Sequence, residues 1–409
     1  GSDDWIDAGS GSGIDDLDYV TVSAWVKFEG WGEGNAGRLV SKTSTANTAG
    51  WTFYANTSGQ LGLIDDWSTT DAFYVSVTSL ALNAWTHVAF TYNRSTAGQV
   101  PTFYVNGVAV AAASSSNTNS VGSAVSDAGS PLLVGARRIN DTSVDREFDG
   151  QIRDVKIFPS ALDAADIRKL YSGENPKKNL NVELVSNGTF DSNTTGWSSS
   201  ATSGSAPSIS SSSGKLMVLN NSGGNDPYAI FAATTVVGKF YRIAAYLEYS
   251  NASLKMTVGS SSGGSQNVSG TQVNSASGNG TQEYIFKATA TTTYINLFAL
   301  TSSAGGNAFF DNVSLTEVGT LVDFTPQSAS SSTWRNEAIP SLYHGTVNNA
   351  TLSQGNSYWN NIKQDGTEVI VQGNNLFIDS DSHAELKLDA GTTSVNSGIE
   401  FQVAGGRKG

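Results

Sequence analysis

"YVTVSAWVKF", residues 19–28, alternates without a break: Val20, Val22, Ala24, Val26 and Phe28 fall on one face, Trp25 and Lys27 on the other. That period of two is the pattern of a strand with one face in a core. "AWTHVAFTYN" (84–93) repeats it, with Val88, Phe90 and Tyr92 set against Trp85, His87 and Ala89. "TFYVNGVAVAA" (102–112) carries Asn106-Gly107, the dipeptide that best suits a two-residue hairpin turn. The one stretch that reads as a helix is "PSALDAADIRKLYSG" (159–173). Ser160 is its expected N-cap, Asp163 completes a capping box, Leu162, Ile167, Leu170 and Tyr171 form an apolar stripe, and Gly173 ends it. The chain is therefore expected to be all-β.

Composition agrees. Of 409 residues 38% are hydrophobic but only 14% charged, so the polarity comes from Ser, Thr, Asn and 43 glycines, a mixture suited to turns and strand surfaces. Lys+Arg 23 against Asp+Glu 36 gives 23 − 36 = −13, and no basic patch with interleaved aromatics interrupts it. Such a surface repels nucleic acid and anionic membranes and tolerates divalent cations. Cysteine is absent, which excludes disulfides and thiolate metal sites. No apolar run approaches the roughly 18 residues of a membrane helix, so no membrane insertion is expected.

The length exceeds one ordinary core. "ENPKKN" (174–179) marks a first boundary. Strand patterns resume over 180–318, broken by Ser/Gly tracts that read as hairpin loops. A second boundary falls near "GTLVDFTPQSASSSTW", and beyond it "LFID", "AELKLDAG" and "SGIEFQVAGG" look like one short unit repeated at irregular spacing. Each such unit offers too few apolar side chains to close a core alone. The expected organisation is two tandem β-sandwich (jelly-roll) domains, 1–173 and 180–318, then a linker and repetitive β stalk, 319–409. The stalk is expected either to intertwine in a homotrimer or to pack as a small strand domain on its neighbour.

The motifs "GSDDWIDAG", "NAWTHVAFTY", "FYVNGVAV", "LLVGAR" and "FDGQIRDVKIFPSALDAADIRKLY" resemble, in this order, the laminin-G-like, concanavalin-A-type jelly roll over nearly all of residues 1–172. The resemblance implies a further strand ahead of "GSDD". "ELVSNGTFDSNTTGW" and "AFFDNVSLTEV" look like the brackets of a carbohydrate-binding module of the galactose-binding-like group, over 180–318. In that group the first and last strands lie together and often hold a structural calcium. The resemblance thus gives Asp311, a carboxylate within an alternating run, a role as Ca²⁺ ligand, with Asp191, Asn187 and Thr189 as its companions. A second calcium site is possible at Asp3, Asp4, Asp149 and Asp154. The region after 319, with "STWRNEAIPSLYHGTVNNATL", resembles stalk segments of bacteriophage tail or head fibres.

Glycoside hydrolysis needs two carboxylates facing one cleft at defined separation. No Glu-X-Asp-X-Glu run exists, Asp15-Asp16 and Asp65-Asp66 are adjacent, and Glu147/Asp149 falls in the structural "FDG" segment. His87, His344 and His383 have no serine elbow or metal-spaced partner. No catalytic residue is expected. Sugar binding uses aromatic faces with a few polar groups. Its candidates are Trp31, Trp51, Tyr54, Trp67 and Phe73 in the first domain, and Trp197 and Tyr228 in the second. The sequence thus predicts a non-enzymatic virion fibre or appendage protein, extracellular, contacting host-surface glycans and other virion proteins. The alternatives are a secreted bacterial adhesin or binding fragment of a polysaccharide-degrading enzyme, and a purely structural decoration protein.

Overall fold

The computed structural model describes residues 4–352, apart from 46–47, 115–118, 141–142, 178–179, 181, 205–206, 222 and 224, and the short strands Ile362–Asp365 and Glu368–Val371. The chain divides into one compact unit, Gly1–Leu352, and a second, Ser353–Gly409. In the second unit the two strands pair antiparallel, Ile362 opposite Val371. The repeats expected at 372–405 lie outside the described residues.

The described chain is all-β, in antiparallel sheets, with the single described α-helix at Ala164–Tyr171. In the first sandwich Val20, Val22, Ala24, Val26 and Phe28 all point inward and pack with Phe53, Leu61, Leu63 and Phe90 in one core. Each such aliphatic side chain contributes roughly 1.5–3 kcal/mol by leaving water. The opposite face of Trp85–Asn93 is buried as well, contrary to simple alternation. The helix lies over it, and Ala89, Tyr104, Phe158, Leu162, Ile167 and Leu170 form a second small core there. Asp163, not Ser160, caps that helix, accepting from the Asp166 amide at 2.8 Å. The reason is Thr21, whose hydroxyl donates to the Ser160 carbonyl and accepts from the Leu162 amide, holding 160–162 against the sheet before the helix can start. Asn106 and Gly107 form the expected hairpin turn, with φ of 49° and 76°.

The segment after residue 319 corrects the expected linker and stalk. Val322–Phe324 adds to the edge of Gly150–Phe158, making a six-stranded sheet. Gly345–Asn348 pairs with Trp5–Asp7, and Thr333–Trp334 pairs with it in turn, completing the facing nine-stranded sheet. Leu321, Val322, Phe324, Trp334 and Ile339 join the first core, with Phe324 and Trp334 stacked at 5.2 Å. The chain thus leaves the first sandwich after the helix, builds the second, and returns to finish the first. Short, mostly polar strands of this kind have no local signature, because their stabilisation lies in the sheet edges that receive them.

The second sandwich packs two five-stranded sheets around Phe190, Leu216, Ile243, Leu254, Leu297 and Phe310. Its opening segment does lie beside its last strand: the Leu184 amide donates to the Leu315 carbonyl, and Glu183 bridges to Thr316. Its Phe240 and Ile285 belong to the first sandwich's core. Ser12 Oγ donates to the Ile285 carbonyl at 3.1 Å, and Lys287 pairs with Asp18.

Between the sheets of the first sandwich runs a buried ionic network. Lys42 Nζ lies 2.6 Å from Asp15 and 3.6 Å from Asp127. Arg94 pairs with Asp65 and with Asp127, each at 2.9 Å. Removing one partner of such a set strands a charge in the interior, at a cost of about 3–5 kcal/mol, whereas an exposed pair contributes about 1 kcal/mol or less. Asp127→Ala is therefore expected to lower the unfolding free energy in urea by about 3–5 kcal/mol, and Lys239→Ala, which breaks the exposed Lys239–Glu317 pair, by about 1 kcal/mol or less.

Asp66, 5% exposed, has its carboxyl pushed up to about 7 by burial and by neighbouring Asp71 and Asp65. The folded chain then holds a proton that the unfolded chain releases near 3.8, so this contribution to stability is present in acid and is lost as pH rises toward 7. The stability of Asp66→Asn relative to the native chain should rise across that window. A difference independent of pH would show that Asp66 titrates normally.

Candidate functional site

Strand Trp5–Asp7 places Ile6 inward and Trp5 and Asp7 on the outer face. Gly345–Asn348 runs beside it, with Asn348 opposite Trp5 and Thr346 opposite Asp7. Gly345 is required for this approach, since a Cβ there would lie 2.2 Å from Ile6 Cγ2. A groove of about 740 Å³ opens over these strands, walled by Arg138, Val144 and residues 341–344. A second lobe of about 500 Å³ continues past Gly9 and Ser10 to Thr43, Ser44, Thr45 and Ser130. The lobes share Asp7 and Arg138, whose side chains pair at 2.6 Å, so together they make one trough with an ion pair at its middle. Trp5 presents a half-buried ring, and the remaining lining is mostly hydroxyl and amide.

Two supports hold this trough. Under the second lobe, Lys42 donates to the Ser130 carbonyl at 2.7 Å and to that of Asp127 at 3.2 Å. Behind the 341–344 wall stands the second sandwich. Glu283 is gripped by Arg242 through two hydrogen bonds of 2.6 and 2.8 Å, and Arg242 and Ser341 beside it hold its carboxyl below the usual range against the effect of burial. Tyr343 accepts from the Gly13 amide at 3.0 Å, at a point where a Cβ on residue 13 would strike both Tyr343 and Ile285.

The residues singled out from the sequence lie elsewhere. Trp51, 1% exposed, is central to the first core against Phe90. Trp67 is buried and donates its Nε1–H to Asp65 at 2.7 Å. Tyr54 is covered by the Arg38 guanidinium, 4.8 Å from its ring. Trp31 is half-buried against Phe28, and Phe73 is also half-buried. Trp197 packs between Phe190 and Phe231. Tyr228 lies against Phe298, its hydroxyl 3.2 Å from Ser262. Five of these rings are spent on packing and leave no open face for a sugar. The sequence reading passed over Trp5 because it sits in an acidic stretch, although the W-I-D alternation already sets it on Asp7's face.

The expected calcium ligands are likewise engaged locally. Asp311 is half-buried, and its carboxylate accepts from the Asn312 amide at 2.7 Å, steadying a bulge at which Asn312 has φ 50°. Thr189 donates to Asp191 at 2.8 Å, and Asn187 donates to Asn193 and Thr195. Ca²⁺ needs six to eight oxygens, more than these four side chains supply one apiece. Asp4 and Asp154 are half-buried and Asp149 is exposed. Asp3 lies outside the described residues. No group of three or more acidic or histidine side chains suited to a metal occurs among the described residues.

The wall's dependence on the second sandwich is measurable without a ligand. Glu283→Ala should speed amide hydrogen exchange in peptides covering 339–346 while strand Tyr19–Phe28 keeps its protection. Unchanged exchange at 339–346 would mean that Ser341 needs no buttress.

Residues 1–168 match the sequence profile of the concanavalin A-like lectin/glucanases superfamily (Laminin_G_3). No curated protein sequence matches the chain. Among solved structures it is similar to a heptameric SAP-like pentraxin from Limulus polyphemus, at 17% identity over 41% of this chain and 82% of that one, with a TM-score of 0.30. It is also similar to the sialidase CBM40 of Ruminococcus gnavus bound to α2,3-sialyllactose (13% identity, 38% and 83%, 0.31). The CBM22-1 xylan-binding domain from Paenibacillus barcinonensis Xyn10C matches at 14% identity over 34% and 96%, with a TM-score of 0.25. No ligand follows from likeness at this level. What stands is an all-β chain whose first 168 residues match that superfamily's sequence profile.

Proposed function

We propose that the chain is a non-enzymatic glycan-binding protein that holds sugar in the trough over Trp5 and Asp7. The observation that carries this reading is a half-buried indole beside hydroxyl and amide groups, the combination that grips a pyranose ring and its rim of OH groups. The lectin-type sequence of the first sandwich supports it. Binding is preferred to hydrolysis because Asp7 is the one acidic side chain lining the trough among the described residues, and Arg138 neutralises it. Hydrolysis would require a second carboxylate across the cleft.

The proposal extends to setting. We place the protein in an extracellular fibre or appendage of a bacteriophage particle, beside other virion proteins, with residues 353–409 leading into a trimeric stalk. The short alternating units at 372–405 support this part. Three copies joined through a stalk would multiply a weak single-site affinity by roughly 10²–10⁴. A secreted adhesin, or the binding part of a polysaccharide-degrading enzyme, would use the same trough.

Trp5→Ala should reduce glycan-array binding of the full chain at least about tenfold, the loss of roughly 1.4 kcal/mol. Trp197→Phe, in the second core, should leave it unchanged. Light scattering on the intact chain should give three times the 42.7 kDa chain mass. A monomer that still binds sugar would remove the fibre and keep the binding.

A further inference from the structure

We infer that the trough takes an internal stretch of an uncharged, linear polysaccharide rather than a single sugar or an acidic glycan. This rests on the glycan-binding reading and narrows its ligand class.

The formal charges lining both lobes are Asp7 and Arg138, joined at 2.6 Å, so the floor carries no net charge. His344 adds none in its neutral form: its Nδ1 accepts from the Asn336 amide at 3.0 Å, which leaves Nε2 as the protonated, donating nitrogen. A sugar carboxylate or sulfate would therefore displace an existing ion pair to find a cation, and would do so on a chain of net charge −13. Neutral hydroxyls face no such penalty. They can donate to Asp7 and accept from Arg138 while the pair persists, and the threonines and serines of the second lobe offer both roles.

Each lobe is within the range of a pocket that holds one compact ligand, about 300–1,000 Å³. They meet at Asp7, Gly9, Ser10 and Arg138, so one occupant can cross from Trp5 to Thr43–Thr45. The chain lies with one unit stacked on Trp5 and its continuation over the ion pair.

The test is calorimetric titration of the full chain with uncharged polysaccharides (a glucan, a mannan, a xylan, a galactan) and acidic ones (polygalacturonate, hyaluronan), at about 20 and about 500 mM salt. The expected result is that at least one neutral chain binds, with a Kd that changes less than about twofold between the two salt levels. Its oligomers should bind better than its monosaccharide. Preference for an acidic polysaccharide, with affinity falling as salt rises, would overturn the inference while leaving glycan binding intact. So would equal affinity for monosaccharide and polymer. Binding of neither class would overturn the glycan-binding reading itself, and neutral binding indifferent to Trp5→Ala would overturn its placement in this trough.

Discussion

Charge neutralisation inside the first sandwich is the constraint on which the surrounding structure depends. Two cations, Lys42 and Arg94, meet two buried aspartates, 65 and 127, with a third, Asp15, at the partly exposed margin of the set. Each would be costly alone, so the segments carrying them are compelled to meet. Those segments are the strands Arg38–Thr43 and Gln60–Asp65, the end of Trp85–Asn93, and the turns around 15 and 127. The turn around Asp15 is also the one that touches the second sandwich, through Ser12, Gly13 and Asp18. The turn after Asp127 forms the far end of the trough. One set of hidden charges therefore fixes both the junction of the two sandwiches and half of the binding surface.

The same economy recurs at the surface. Where the interior matches three anions with two cations, the trough matches Asp7 with Arg138 and leaves hydroxyls to face outward. The large aromatic side chains follow the opposite rule: most go inward, as their area demands. Trp5 is one exception, because its neighbour Ile6 occupies the inward position and the strand is only three residues long; Tyr19, Trp85 and Tyr171 are others.

Strand composition made the first sandwich legible. The inward set from Val20 to Phe28 could be assigned residue by residue, and so could the Asn106-Gly107 turn. The bracketing of the second sandwich was legible too, as Leu184 beside Leu315 shows. Other features were not, for two physical reasons. Alternation assigns a face but not what covers it, so the pattern around His87 and Ala89 does not reveal the helix that lies on them. Trp51 and Trp67 carried the sugar-binding expectation, although Trp51 packs on Phe90 and Trp67 bridges to Ala124, both far away in sequence. Pairing across long separations leaves no trace in a four-residue strand such as Gly345–Asn348, and a trough built half from residues 5–10 and half from 341–348 is invisible to any local pattern.

The route of the chain has a consequence for the moment of its birth on the ribosome. The flank of Gly150–Phe158 that receives Val322–Phe324 must wait while the whole second sandwich is translated. At about 5–20 residues per second this is a delay on the order of ten to thirty seconds. A bare sheet margin in a nascent polypeptide invites other chains to pair with it. Arg153, Asp154 and Lys156 stud that margin, and Asp154, at φ 53°, kinks it. Those features guard the half-finished sandwich until its last strands arrive.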